Sequence, residues 1–242
     1  MEVCGGQTHA IIRYGIHEVL DDQIRLIHGP GCPVCVTPME YIDRAIAIAR
    51  RPGVVFCTFG DMLRVPGSTT SLLEARSEGA DIRVVYSSTE ALRLVDQMPD
   101  REVVFFGIGF ETTAPSTAFA IDQANAKKME NFSVLCCHVR VAPAMVALLV
   151  SEGNLVQAYL AAGHVCAVQG ESEYEAIAEQ YNVPIVVTGF EPIDILAGIL
   201  AAVNQLERGE ARVENQYSRV VRKRGNFRAR ELIEKIFEVS DR

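Results

Sequence analysis

The run "VVFFGI" (103–108) carries no charged or polar side chain, and it leads through "GIGFETT" (107–113) into "PSTAFAIDQANAKK" (115–128), which opens with Pro115 and reads as a helix. A strand with one wet face alternates apolar and polar residues. One covered on both faces stays apolar throughout, which is the mark of a parallel sheet flanked by helices. The same kind of run recurs outward from it: "VVFCTF" (54–59), "IRVVYS" (82–87), "SVLCCH" (133–138) and "PIVVTG" (184–189), with "IRLIHG" (24–29) and "VCAVQ" (165–169) as further expected strands.

Helical patterns lie between these runs. "MEYIDRAIAIAR" (39–50) puts Ile42, Ala45, Ile46 and Ala49 on one face. "SLLEARSEGA" (71–80) offers Ser71 as N-cap, Glu74 three residues on and Gly79 as a stop, the pattern of a capping box. "PIDILAGILAAVNQLERG" (192–209) again begins with Pro, which suits a first helical turn. Strand and helix alternating in this way specify an α/β fold, here two Rossmann-like units with mostly parallel sheets flanked by helices. The expected division is 1–98 for a first domain carrying the Cys motifs and 99–218 for a second. Residues 219–242 are expected as a basic connector and an amphipathic helix that displays Leu232, Ile233, Ile236 and Phe237.

At 49% hydrophobic and 22% charged over 242 residues, the chain has the composition of a globular protein with a substantial core, not a disordered one. No apolar run nears the roughly 18–20 residues of a membrane span, and Glu2 and Cys4 interrupt any signal peptide, so a cytoplasmic protein without membrane attachment is expected. A net charge of −8 argues against nucleic acid as a partner, since that affinity comes from neutralised phosphates. The local exception is "RVVRKRGNFRAR" (219–230), which reads as a solvated basic connector or as a surface for an acidic partner.

The seven cysteines concentrate the chemistry. "HGPGCPVC" (28–35) sets Cys32 and Cys35 two residues apart in a Gly/Pro turn before a helix, which suits a reversible disulfide or half of a metal site. "EVCGGQTH" (2–9) places Cys4 before two glycines that permit close backbone approach to a ligand, with His9 at the start of a helical stretch. A buried packing thiol is the plainer reading of Cys4. Cys57, Cys136, Cys137 and Cys166, inside apolar runs, are expected to be packing thiols. Asp61, Glu111, His138 and Glu191 all follow expected strands, where open α/β sheets gather their ligands. "GIGFETT" has Thr113 where a dinucleotide loop needs its third glycine or alanine, which leaves that fingerprint incomplete.

Taken together and in order, "MEVCGGQTHAI", "HGPGCPVCVTP", "FGDMLRVPGS", "GFETTAPSTA" and "GFEPIDIL" resemble the HypD family of hydrogenase maturation factors over most of the chain. The resemblance implies two Rossmann-like domains and a scaffold that, with a HypC-type chaperone and a HypE-type cyanide donor, holds iron while cyanide and carbon monoxide are attached for [NiFe] hydrogenase. It implies Cys4 as the iron-holding thiolate and Cys32 with Cys35 as the redox-active pair. His9 and His28 would be supporting polar groups of that site, and Asp61 and Glu111 crevice residues. It also implies a further C-terminal domain whose cysteines bind a four-iron four-sulfur cluster. No cysteine follows Cys166 here, so that ligand domain is absent from this chain, which is expected to be truncated or divergent. A different class of function, a stand-alone CxxC thiol oxidoreductase using Cys32 and Cys35, accounts for the pair without iron.

Overall fold

The computed structural model describes residues 1–240. In chain order the elements are α1 (Gly5–Arg13), α2 (Met39–Ala49), β1 (Val54–Thr58), α3 (Leu72–Ser77), β2 (Ile82–Val84), α4 (Ser88–Gln97), β3 (Glu102–Gly109) and α5 (Ala114–Ala126). They continue with β4 (Phe132–His138), α6 (Val141–Leu149), β5 (Tyr159–Ala162), α7 (Gly163–Gln169), α8 (Ser172–Tyr181), β6 (Ile185–Thr188), α9 (Pro192–Arg208), β7 (Val213–Asn215) and α10 (Phe227–Ile236). Two compact units result, one from Met1–Cys32 and Arg140–Arg230, the other from Pro33–Val139 and the residues from Glu231 on.

The second unit is built on β3. Its sheet runs β2-β1-β3-β4, all parallel, with Val54, Phe56, Val104, Phe106 and Ile108 packing into one core and Val55, Cys57, Val103 and Phe105 into another. Alternate residues of each central strand therefore serve opposite faces, and "VVFFGI" has no polar position because neither face meets water. Phe56, Phe105 and Phe106 are fully buried, each contributing on the order of 2–3 kcal/mol of transfer free energy. α2 buries Ile42, Ala45, Ile46 and Ala49, and Ser71 with Glu74 forms the expected capping box on α3.

In the first unit β5, β6 and β7 form a parallel sheet, which two single bridges extend: Glu2 pairs with Leu160 of β5 on one side and with His28 on the other. The spatial order is then residue 28, residue 2, β5, β6, β7. That repeats the order of the other unit, with the direction of winding reversing between the first segment and the third. α9 packs on this sheet through Ile195, Ile199 and Ala202, next to Ala10 and Ile11 of α1. Among the described residues no helix is long and apolar enough to cross a membrane.

Several expectations need correction. The division at 98/99 falls between α4 and β3, inside one unit, and β1 and β3 on either side of it are paired in one sheet. The first unit is instead discontinuous, because the N-terminal segment joins the sheet of β5. "VCAVQ" is helical, in α7; a short apolar run does not distinguish a buried helix from a buried strand, and the strand here is the preceding "YLAA" of β5. "IRLIHG" makes only the bridge at His28 and no full strand. α1 begins at Gly5, so His9 lies within the helix and not at its start. Cys136 is exposed because β4 is an edge strand, whereas Cys57, Cys137 and Cys166 are buried as expected. Leu232, Ile233, Ile236 and Phe237 are half-buried, with Phe237 against the His138 ring at 5.5 Å and Lys235 of α10 paired to Asp122 at 2.6 Å.

Candidate functional site

Cys4 stands at the point in the first unit where the winding reverses, between the Glu2 segment and β5, which is where open α/β sheets place their ligands. It is the N-cap of α1, and its sulfur accepts the Gly6 backbone N–H at 3.3 Å. A sulfur there receives the partial positive charge of a helix start, which favours thiolate. Burial outweighs that: the Cys4 thiol is pushed above its ordinary value by desolvation, with the Gly6 and Gln7 amides acting the other way.

Glu2 organises the backbone around it. Its side chain is 1% exposed; Oε2 accepts the Cys4 N–H at 2.8 Å, while Oε1 accepts from the Thr8 hydroxyl and lies 2.7 Å from His28 Nδ1. A buried carboxylate is tolerable only with its oxygens satisfied, and here every partner belongs to the Cys4 surroundings. The glycine loop ahead of the CxxC pair is seated directly on the thiol's backbone. Gly29 N–H donates to Glu2 O, Gly5 N–H donates to Gly31 O, and a Cβ on Gly31 would overlap the Cys4 N and Cα atoms. Cys32 follows that glycine and is half-buried; Cys35, the first unit's loop having ended, belongs to the second unit and is exposed.

Two side chains that sequence reasoning did not single out complete the setting. His164, at the start of α7 directly after β5, has Nε2 3.8 Å from the Cys4 sulfur, and burial holds its imidazole below the usual value and so neutral. Phe190, two residues after β6, packs against it with the rings tilted by 37° at 4.9 Å and would meet a side chain at Gly6. The signal that could have found His164 was the "GH" following a strand, hidden by reading 165–169 as the strand itself. Gln7 is fully buried and ties α1 to the sheet through Thr188 Oγ1 at 2.6 Å and Ala161 O at 3.3 Å.

The remaining expected residues divide. His28 joins Cys4 through Glu2, whereas His9 is exposed on α1. Asp61 and Glu111 follow β1 and β3, the two strands that flank the reversal of winding in the second unit; Asp61 is exposed and Glu111 is buried. In the "GIGFETT" loop, Thr113 donates to Phe110 O at 3.2 Å and fills the space over Gly109. Among the described residues no group of three His, Cys, Asp or Glu side chains converges as a metal site, so Cys4 offers a metal ion one thiolate and no cage.

Parallel α/β units with a thiol at the winding reversal of one, and a glycine loop on its backbone that leads into Cys32, define a class of thiol-bearing α/β proteins. Comparison with known sequences narrows the class to one family. A family model for HypD, described as the hydrogenase formation hypA family, matches residues 1–242. The hydrogenase maturation factor HypD of Azotobacter vinelandii is 51% identical over 247 residues, covering 100% of this chain and 65% of that protein. That of Escherichia coli K12 is 49% identical over 240 residues, 99% of this chain and 64% of that protein. That of Cupriavidus necator is 46% identical over 246 residues, 99% of this chain and 65% of that protein. The chain belongs to the HypD family of hydrogenase maturation factors, and it spans about 65% of the length of the curated relatives it matches.

Proposed function

We propose that this chain is an assembly scaffold for the iron centre of [NiFe] hydrogenase. Cys4 holds the iron, which is cargo, as a thiolate alongside a cysteine brought by a HypC-type chaperone. Carbon monoxide and cyanide from a HypE-type donor are attached there; Cys32 with Cys35 closes to a disulfide, and its two electrons cleave the S–C bond of the donor's thiocyanate, leaving cyanide for the iron and a thiol on the donor, with one proton going to that thiol and one to solvent. The single observation that supports this reading most is the seating of Cys4: at the winding reversal, beside His164, against the same glycine loop that leads into Cys32.

The chemistry agrees with the donor set. Low-spin iron carrying cyanide and carbonyl favours soft thiolate ligands, and binding iron displaces the proton that burial keeps on the Cys4 sulfur. One thiolate per chain suits transient holding, because cargo in a full cage would not leave. His28 supports the site through Glu2; the family resemblance assigns His9 as a supporting polar group and Asp61 and Glu111 as crevice residues. No cysteine of this chain is assigned to a four-iron four-sulfur cluster, and the cytoplasm is the compartment that such work requires.

A stand-alone thiol oxidoreductase is favoured by one observation: Cys35 is exposed and within reach of a partner's disulfide. Anaerobic co-expression with a HypC-type chaperone and the cyanide-supplying proteins, followed by iron analysis and an infrared spectrum of the cyanide and carbonyl stretches, separates the two. The scaffold requires bands that vanish in Cys4→Ala while the dithiol survives. Absence of iron and bands, with dithiol exchange activity unchanged in Cys4→Ala, would establish the oxidoreductase instead.

A further inference from the structure

The basic stretch after β7 is not a loose connector. Its first turn is fixed by Asn215, which accepts the Tyr217 N–H at 2.9 Å and donates to Val221 O at 3.2 Å, and Val221 is buried. It then runs along α7 and α8. Lys223 O accepts the Glu171 N–H at 3.1 Å, Asn226 N–H donates to Val168 O at 3.0 Å, and Lys223 Nζ pairs with Glu175 at 2.7 Å. Gly170 and Gly225 are both in the left-handed region, at φ 84° and 64°, and their missing side chains let the two backbones touch: a Cβ on Gly170 would overlap Lys223 O, and one on Gly225 would overlap Val168 O. The C-terminal end of α7 is thus bonded to this stretch.

The other end of α7 is held by Tyr217. Its ring occupies the space a side chain at Gly163 would need and lies 2.7 Å from where a Cβ on Gly189 would stand, and it meets Phe190 edge-on at 6.5 Å. Arg219 covers Tyr217, its guanidinium 4.6 Å from the ring centroid, and reaches both Asp194 oxygens at 2.7 and 2.6 Å. A planar, bidentate pair of this kind fixes orientation as well as distance. Asp194 is in the first turn of α9, where the helix start also favours its charge.

We propose that residues 217–226 are a strap that positions His164: the Asp194–Arg219 pair clamps Tyr217 onto Gly163 and Gly189, and so sets the start of α7 with the imidazole beside Cys4. Asp194, Tyr217 and Arg219 are positioning residues that act through His164. The inference rests on the reading of Cys4 as the anchoring thiol, and it gives Arg219 a role within the basic stretch.

The test is the rate of Cys4 carbamidomethylation by iodoacetamide at one fixed pH, resolved by peptide mass spectrometry, in the full 242-residue chain. His164 Nε2, 3.8 Å from the Cys4 sulfur, is placed to take the thiol proton as the sulfur attacks, so His164→Ala is expected to slow Cys4 by about fivefold or more. Arg219→Met should slow it to the same extent, and the double variant should be no slower than either single one, the mark of residues acting through one contact. Arg219→Lys should recover only part of the rate. Asp194→Asn, which keeps shape and one hydrogen bond, serves if Arg219→Met does not fold. A lower melting temperature with an unchanged or faster Cys4 rate, or an additive loss with His164→Ala, would make the strap a purely structural brace and overturn the proposal. The assay contains no iron, so its failure is separate from that of the anchoring role, which iron retention in Cys4→Ala decides.

Discussion

The Cys4 sulfur and His164 Nε2 are 3.8 Å apart across 160 residues of sequence. Each stands just beyond the end of a parallel segment, and the two segments are neighbours because Glu2 bridges to Leu160. Parallel pairing brings the two segments side by side, and residues that follow adjacent parallel strands emerge at the same edge of the sheet. Neither Cys4 nor His164 is near the other in any local pattern.

Glu2 gives the first prediction. Glu2→Gln removes the charge of a carboxylate that accepts from the Cys4 amide and the Thr8 hydroxyl and meets His28; the amide oxygen can keep the Cys4 N–H only if the Thr8 hydroxyl and His28 Nδ1 turn to accept. A loss of about 2 kcal/mol is expected, from charge-assisted hydrogen bonds exchanged for neutral ones in a buried site, measurable by urea unfolding. A loss under about 0.5 kcal/mol would show that the carboxylate is not needed to hold the Cys4 turn.

Two glycines separate steric from conformational cost. Gly31→Ala drives a Cβ into the Cys4 backbone and should cost about 3 kcal/mol or more, because the glycine loop and the start of α1 must move apart. Gly153→Ala, at φ 75° with open space around it, should cost only about 1–2 kcal/mol of left-handed strain. Equal losses on denaturation would mean that the loop yields easily.

Alkaline stability follows from Cys57, whose thiol is fully buried and is pushed up to about 12 from 9.0 by desolvation. The folded state keeps the proton that the unfolded chain releases. Its contribution is therefore fully present below pH 9.0 and is lost as pH rises toward about 12, by up to about 1.4 kcal/mol per pH unit. Cys4, raised in the same direction, adds to the loss. Replacing Cys57 with Ala should flatten the fall in melting temperature above pH 9.0, at some cost in packing at neutral pH.

Much of the second unit was legible because its signals are local. The burial of Ile42, Ala45, Ile46 and Ala49, the capping box at Ser71 and Glu74, and the wholly apolar β1 and β3 each follow from periodicity within one element. The first unit was misjudged where the decisive partner was distant. "VCAVQ" is as apolar as a strand, but β6 already pairs with "YLAA", and the run that follows turns over the sheet end as α7.

By itself the sequence determined the class of fold and the family, and it marked Cys4, Cys32 and Cys35 as the candidate thiols, since apolar runs, caps and Cys spacings are properties of contiguous residues. Only the tertiary structure decided that residues 1–32 share a unit with 140–230, that Glu2 and His164 attend Cys4, and that Arg219 braces a helix and is not a loose surface charge. These depend on which parallel segments pair, and a β-ladder is chosen by the burial and hydrogen bonding of the whole sheet, which no single segment encodes.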